Sequence, residues 1–229
     1  MTRPIRVDMH THTEFSPDSR TKLATYAAAA AESGLDVVCV TDHDTIEGAL
    51  RLRELATAVR VIVGEEISTE DGEIIGLFLG AAVPRALSAE ETIARIHDQG
   101  GIAYVPHPFS RNRRNHIRLS ALQRVAGSVD AMEVFNAREA FAGDNRRALA
   151  FATRHAIPGG AGSDAHRPAE LGRAYVELER DFATPAEFVT ALRSARVAGR
   201  LSGVAVHVGT RYDVIRKWLR RRRRPAEGR

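Results

Sequence analysis

The chain has 229 residues, room for one large α/β domain or two small ones and for a sizeable core. No run of about 18 apolar residues is present, so no helical membrane span is expected, and Met1-Thr2-Arg3-Pro4-Ile5 enters a strand without the apolar stretch of a secretory signal. The formal charge is +4, but residues 211–229 hold nine basic and two acidic side chains, so residues 1–210 carry −3 and the basic character is a tail rather than a groove.

In chain order, apolar β-rich runs alternate with helix-period segments. A strand is expected over 5–7, an alanine-rich helix over 23–31 closed by Gly34, and a strand over 37–41. Cys39, the single cysteine, sits in that apolar strand; it excludes an internal disulfide and reads as a buried thiol in a cytoplasmic protein. A helix over 47–59 and a strand over 61–63 follow, then a strand over 74–79 pairing locally across the Asp71-Gly72 turn. Ser88-x-x-Glu91 is a capping box opening a helix to 99. Strands over 102–105 and 131–135, a helix over 145–155, and strands over 160–163 and 175–178 come next. Thr184-Pro185-Ala186-Glu187 is a second capping box, opening a helix to 194. One domain is expected over 1–210, followed by a basic helix or tail over 211–229. Its arginine run at 220–224 fits either attraction to an anionic surface or a solvated chain end.

Regular strand–helix alternation implies βαβ units and a parallel sheet. Clusters rich in His, Asp and Glu follow the strands: Asp8-Met9-His10-Thr11-His12, Thr41-Asp42-His43-Asp44, Gly64-Glu65-Glu66, Pro106-His107-Pro108, Glu133, and Gly162-Ser163-Asp164-Ala165-His166. His10 and His12, two apart on a strand, point to one face. The first and last clusters meet if the sheet closes, so an α/β fold of (β/α) barrel type is favoured, with ligands at the C-terminal strand ends. Each cluster alone has a structural reading as a charged loop, a rigid turn or a helix cap. Together they are too many for one ion and read as a multinuclear hydrolase centre, where mixed imidazole and carboxylate donors suit Zn, Mn or Fe. His97, His116, His155 and His207 lack such company; His97 and His155 read as surface or packing residues.

These motifs, in this order, resemble the PHP (polymerase and histidinol phosphatase) family of phosphoesterases, over about residues 5–207. The resemblance implies a distorted (β/α)7 barrel, two or three divalent metal ions (Mn, Fe or Zn, with Mg possible), and phosphoester hydrolysis by a metal-bridging hydroxide. It implies that His10, His12, Glu66 and Asp164 hold one metal. Glu66 bridges to a second, held also by His107, and Asp18, His43 and His166 hold a third. Glu66 is preferred to Glu65 because Ile67-Ser68 follows it in the family pattern. Asp8, Asp42, Asp44 and Glu133 are expected behind the ligands, with Asp42 and Asp44 orienting imidazoles. Two departures stand out. Glu73 occupies a position where many relatives have histidine; as a ligand it makes the site harder and less Zn-like. The helical insertion of longer nucleotide-acting relatives is missing between Glu66 and His107.

Arg111, Arg113, Arg114, Asn136 and Arg138 are the candidate phosphate binders, since arginine engages phosphate with two bonds. His43 or His116 is the candidate acid for the leaving oxygen. The expected substrate is a small phosphomonoester or a 5′-phosphorylated nucleotide or short oligonucleotide. The alternatives are a 5′–3′ exonuclease on nucleic acid, which calls for aromatic stacking surfaces that the loop 110–118 lacks, and a histidinol-phosphatase-like enzyme. An amidohydrolase bridging its metals with a modified lysine is disfavoured, because Lys22 and Lys217 are the only lysines and neither follows a barrel strand. A non-catalytic module is disfavoured by the complete ligand set.

Overall fold

The computed structural model describes residues 3–55 and 58–202. The basic segment 211–229, including its arginine run, and His207 lie outside the described residues. β1 (Ile5–Thr11), β2 (Val37–Val40) and β3 (Arg60–Thr69) lie side by side and parallel, connected through α1 (Leu23–Glu32) and α2 (Glu47–Glu54). β4 (Gly72–Leu77) then folds back antiparallel on β3. α3 (Ala89–His97) leads to β5 (Ile102–Val105), antiparallel to β4. α4 (Leu119–Val125) and α5 (Ala142–Arg154) are the crossovers to β6 (Ala131–Asn136) and β7 (Gly159–Gly162), both parallel to β5. β8 (Ala174–Leu178), α6 (Pro185–Leu192) and β9 (Arg196–Gly199) complete the described chain.

β1 closes the sheet because its outer edge is shared. Its first half pairs antiparallel with β8, Ile5 opposite Leu178 and Val7 opposite Val176. Its second half takes the segment after β7: the Asp164 N–H donates to the His10 carbonyl (2.7 Å), and the His12 N–H to the Ala165 carbonyl (2.9 Å). Seven strands thus form a nearly closed, distorted barrel, with β8 and β9 as an antiparallel extension.

β4 pairs locally with β3 across the Asp71-Gly72 turn, as expected; only Glu70 and Asp71 separate the two strands, too few residues for a crossover, so the pair is antiparallel within an otherwise mainly parallel barrel. The turn needs glycine at 72: its φ is +122°, and a Cβ there would meet the Ile117 backbone at 2.5 Å. β3 also runs past the end of β2, so Glu66 lies within a strand rather than after one. The helix expected over 47–59 stops at Glu54, and that expected over 145–155 starts at Ala142. α4 and β9 were not expected. Both capping boxes form, with the Glu91 and Glu187 N–H groups each donating 3.2 Å to the Ser88 and Thr184 hydroxyls.

The apolar residues divide by strand parity. Val7, Met9, Val37, Cys39, Ile75 and Tyr104 pack with Phe182, Phe188 and Leu192 in one cluster, the barrel interior and its α6 side. Val38, Val40, Val63 and Val105 pack with the inner faces of α1 to α4 in the other. No helix among the described residues is long and apolar enough to cross a membrane.

Candidate metal centre

The registers of β1 and β6 each slip once, between Asp8 and Thr11 and between Glu133 and Phe135. Such bulges re-aim side chains at the ends of barrel strands. Here they lie where Met9 belongs to the interior while the next residue, His10, reaches the polar cluster above it. β7 approaches closely enough for this only because residue 162 is glycine: a Cβ there would meet His10 Cβ at 2.3 Å and Glu133 Oε1 at 2.5 Å. Asp44, His107 and Asp164 adopt positive φ without being glycine (+54°, +26° and +54°), local strain held by the surrounding packing.

The structure brings all nine expected ligand residues together. Glu66, fully buried, is at the centre. Its Oε2 lies 3.2 Å from His10 Nε2, 3.3 Å from His12 Nε2 and 3.3 Å from His43 Nδ1, and its Oε1 lies 3.1 Å from His107 Nε2. Asp164 Oδ1 lies 3.4 Å from His12 Nε2 and 3.8 Å from His10 Nε2. Glu73 reaches His107 (3.8 Å) and His43 (4.0 Å). Asp18 faces His166 Nε2 (2.8 Å) and His43 Nε2 (3.5 Å). Glu65, its neighbour on β3, has the opposite parity and accepts from the Val83 N–H (2.7 Å), away from the imidazoles.

The hydrogen bonds behind the rings fix their tautomers. Ser16 Oγ gives its only proton to Asp42 (2.7 Å), so it accepts from His12 Nδ1 (2.9 Å). His10 Nδ1 donates to Glu133 (3.3 Å). His10 and His12 therefore present the Nε2 lone pair to the cluster, the arrangement that metal-bound histidine requires. His10 and His12 Nε2 then face each other at 3.1 Å, two lone pairs that only a proton or a cation between them can reconcile. Asp164 Oδ1 is buried with no hydrogen-bond partner beside them. Four carboxylates and five imidazoles, with no thiolate, form a donor set that fits divalent ions such as Mn, Fe or Zn.

The electrostatics express the same demand. Burial opposes a charged His10, yet Glu66, Asp164 and Glu133 outweigh it and hold the ring well above its ordinary range. Burial likewise opposes a charged Glu66, and His10 and His43 hold it well below the carboxylate range. Glu73 is pushed up to about 8 by burial and by the charge of Glu66. His166 is pushed down to about 4 by burial and by Arg138, against the pull of Asp18.

Several expected roles change. Asp44 accepts from the Ser68 N–H and hydroxyl (2.8 and 3.0 Å), anchoring β3 beyond Glu66 instead of orienting a ring. Asp42 acts on His12 only through Ser16, whose place in the relay no sequence signal marked. Asp8 accepts from the Ser163 and Gly172 N–H groups (2.9 and 3.1 Å), tying the chain after β7 to β1. Glu133 joins His10 to the His107 N–H (2.7 Å). Asn136, expected at the substrate, is buried, and its amide donates to Glu133 (2.9 Å) and Asp164 (3.2 Å).

The arginines separate into three settings. Arg111 is on the rim, held by Asp144 (2.8 Å) and stacked 4.3 Å over the Phe141 ring, which is 48% exposed. Arg113 and Arg138 reach into the centre, Arg113 to Asp164 Oδ2 and Arg138 to the Asp164 carbonyl (3.3 Å) and His166 Nδ1. Arg114 is exposed and lines a cleft of about 430 Å³ with Ser68, Glu73, Arg85 and His116. His116 Nδ1 donates to the Arg113 carbonyl (2.8 Å). His97 pairs with Asp130 (2.8 Å) and His155 stacks on Phe151 (4.2 Å), both away from the cluster. Lys22 sits at the start of α1, not at the end of a barrel strand. Sequence reasoning missed Glu139, buried in the turn after β6 beside Ser110. Burial pushes it up to about 7 despite the Arg113 charge.

Comparison with known proteins agrees with this geometry. The family model described as the PHP domain matches residues 8–144, and one described as PHP-associated matches residues 142–197. Two uncharacterized proteins of Methanocaldococcus jannaschii are similar. One is 39% identical over 146 residues, covering 58% of this chain and 82% of its own. The other is 32% identical over 198 residues, covering 82% and 79%. The crystal structure of a two-domain protein from Bacteroides vulgatus, containing a predicted PHP-like metal-dependent phosphoesterase, has the same fold, with a TM-score of 0.69 at 16% identity. That match covers 86% of this chain and 65% of the other, so this chain spans just under two thirds of that protein's length.

Proposed function

The chain belongs to the PHP domain family, and from that premise we propose that it is a metal-dependent phosphoester hydrolase acting on a phosphomonoester or on a 5′-phosphorylated nucleotide or short oligonucleotide. The observation that carries this reading is Glu66, a buried carboxylate with both oxygens 3.1–3.3 Å from four imidazole nitrogens. His10, His12, Glu66 and Asp164 would hold one ion. Glu66, Glu73 and His107 would hold a second, and Asp18, His43 and His166 a third. When bound, divalent ions supply Lewis acidity, lowering the pKa of water and neutralising phosphoryl charge, so no Ser or Cys nucleophile is required. Glu73 adds a hard oxygen donor, which favours Mn or Fe over Zn.

Around that centre the protein's own groups do the positioning. Arg113 and Arg138 place guanidinium charge beside Asp164, where they bind the phosphoryl oxygens. His43 is committed to the cluster, which leaves His116, lining the cleft beside Glu73, to deliver a proton to the leaving oxygen. A second reading, cleavage of a nucleic-acid diester, is favoured by the exposed Phe141–Arg111 stack, a surface on which a base can lie. The lone buried Cys39 supports a cytoplasmic setting.

The test is product analysis with Mn-loaded protein and a short 5′-phosphorylated oligonucleotide, beside Asp164→Ala. Inorganic phosphate alone identifies a phosphomonoesterase, and 5′-mononucleotides a phosphodiesterase. Equal turnover by Asp164→Ala refutes the site.

A further inference from the structure

The cleft of about 430 Å³ is joined to the metal centre by Glu73, whose carboxylate lines it and reaches His107 (3.8 Å) and His43 (4.0 Å). It has room for the leaving group of an ester whose phosphoryl end is held at the centre. Backbone bonds tie its walls in place. The Glu73 N–H donates to the Asn115 carbonyl and the Arg118 N–H to the Asp71 carbonyl (both 2.8 Å), fixing the loop 113–118 against the start of β4. The Ala86 N–H donates to the Ser68 carbonyl (2.8 Å) and the Glu70 N–H to the Leu87 carbonyl (2.9 Å), fixing the loop that carries Arg85 against the end of β3. Arg85 and Arg114 thus stand on two anchored walls of one cleft.

The acids of the cleft are largely committed elsewhere. Glu73 belongs to the expected ligand set, and Asp71 is bonded to Arg118 (2.6 Å) and lies 3.5 Å from Arg124. Exposed Glu70 is the acid left to oppose the two arginines. Arg85 has one distant partner, Asp44 at 3.8 Å, whose carboxylate already accepts two bonds from Ser68. Arg114 has no ion pair or hydrogen bond among the described residues, whereas its loop neighbours Arg111, Arg113 and Arg118 are each bonded to an aspartate. Arg113 and Arg114 also diverge: the first turns inwards to Asp164, the second lines the cleft. Their Cα atoms, as neighbours in the chain, are about 3.8 Å apart. The pair is therefore placed to hold two anionic groups of one molecule, and the guanidinium fork matches carboxylate or phosphate.

We propose that this cleft is the leaving-group subsite and that the leaving alcohol carries a second anionic group, a phosphate or a carboxylate, held by Arg85 and Arg114. This rests on the phosphoester reading above and narrows its substrate class. A leaving group that carries an ammonium, as histidinol does, is disfavoured by the same two charges.

The experiment uses Mn-loaded full-length protein and esters of matched length: butyl phosphate, 4-(phosphonooxy)butanoate, butane-1,4-diol bisphosphate and 4-aminobutyl phosphate. The readout is the ratio of each kcat/KM to that of butyl phosphate. A distal carboxylate or phosphate is expected to raise kcat/KM about tenfold, and the ammonium to lower it. The anion with the larger ratio identifies the distal group. Arg114→Ala is expected to bring the ratios close to one, and Arg114→Glu to invert them in favour of the ammonium, whereas a merely structural role would change every ester alike. Equal kcat/KM across the esters in wild type overturns the proposal, as do ratios that Arg114→Glu leaves unchanged. Calorimetric titration with 4-phosphonobutanoate and with butylphosphonate makes the same comparison without turnover. If no ester is hydrolysed, tighter binding of 4-phosphonobutanoate that Arg114→Glu abolishes upholds the anion subsite while the hydrolytic reading fails, and equal affinity for the two phosphonates overturns the subsite.

Discussion

Removing the Ser16 hydroxyl tests the preorganisation of the centre without touching an expected ligand. Its Oγ donates to Asp42 Oδ1 (2.7 Å) and accepts from His12 Nδ1 (2.9 Å) and from the His43 N–H (3.1 Å). In Ser16→Ala the Asp42 carboxylate keeps its bonds from the Thr13 and Ser16 N–H groups (2.7 and 3.1 Å), so the acid is not stranded. The two donors are. Each buried donor left without a partner costs about 1–3 kcal/mol, and with local relaxation the pair costs about 2–4 kcal/mol. That is a large share of the roughly 5–15 kcal/mol that hold a domain together. The His12 ring also loses the bond that fixes its tautomer, so Mn2+ affinity should fall about 10–100-fold. Urea unfolding of the metal-stripped protein reads the first effect and Mn2+ titration the second. A variant that unfolds at a lower urea concentration yet keeps wild-type Mn2+ affinity would refute the relay and leave Ser16 a structural residue only.

Other expectations follow from the same contacts. Gly162→Ala forces a methyl onto His10 Cβ and Glu133 Oε1, and should cost about 1–3 kcal/mol together with most of the metal affinity, read by thermal unfolding and Mn2+ titration. Ser88→Ala removes the cap of α3 and should cost about 1 kcal/mol with turnover and metal content unchanged, which separates fold stability from the site. Burial pushes Glu65 up from 4.5 to about 7. The folded state therefore holds this proton more tightly than the unfolded chain, and the stabilisation is complete below 4.5 and lost as pH rises through 7, up to about 3 kcal/mol. Glu65→Gln can still accept from the Val83 N–H. Relative to wild type it should gain stability at pH 8 and gain little at pH 4.5, measured by urea unfolding at the two values.

The parts legible in the sequence were those written in local pattern. The His10 and His12 pair, the motifs after β2, β5 and β7, and the two capping boxes all rest on residue types at fixed spacing. Barrel closure could be inferred because ligands at both chain ends needed to meet. What escaped depended on contacts between distant segments. Glu66 was expected after a strand because the apolar run ends at Val63, but β3 continues by pairing with β4, whose partner residues are far from obvious in a hairpin of mixed polarity. α4 has no side-chain cap to announce it. β9 is a short strand flanked by arginine, with no buried face. Asn136 looked like a substrate ligand because it follows Glu133 at a strand end; only the approach of β7 shows its amide bonded to Asp164. Glu139 gave no signal, since its burial beside His107 and Ser110 joins a turn after β6 to the loop after β5.

The most direct measurement is the hydrolysis of a 5′-phosphorylated oligonucleotide by wild type and Glu66→Ala, each assayed as purified, after chelator treatment and after Mn2+ is restored, with metal content measured on the same samples. The account predicts that wild type holds two or three divalent ions, loses turnover on chelation and regains it with Mn2+. Glu66→Ala should retain at most one ion and remain inactive under all three conditions. Hydrolysis that survives complete metal removal, or a Glu66→Ala protein that binds and turns over as wild type does, would contradict it.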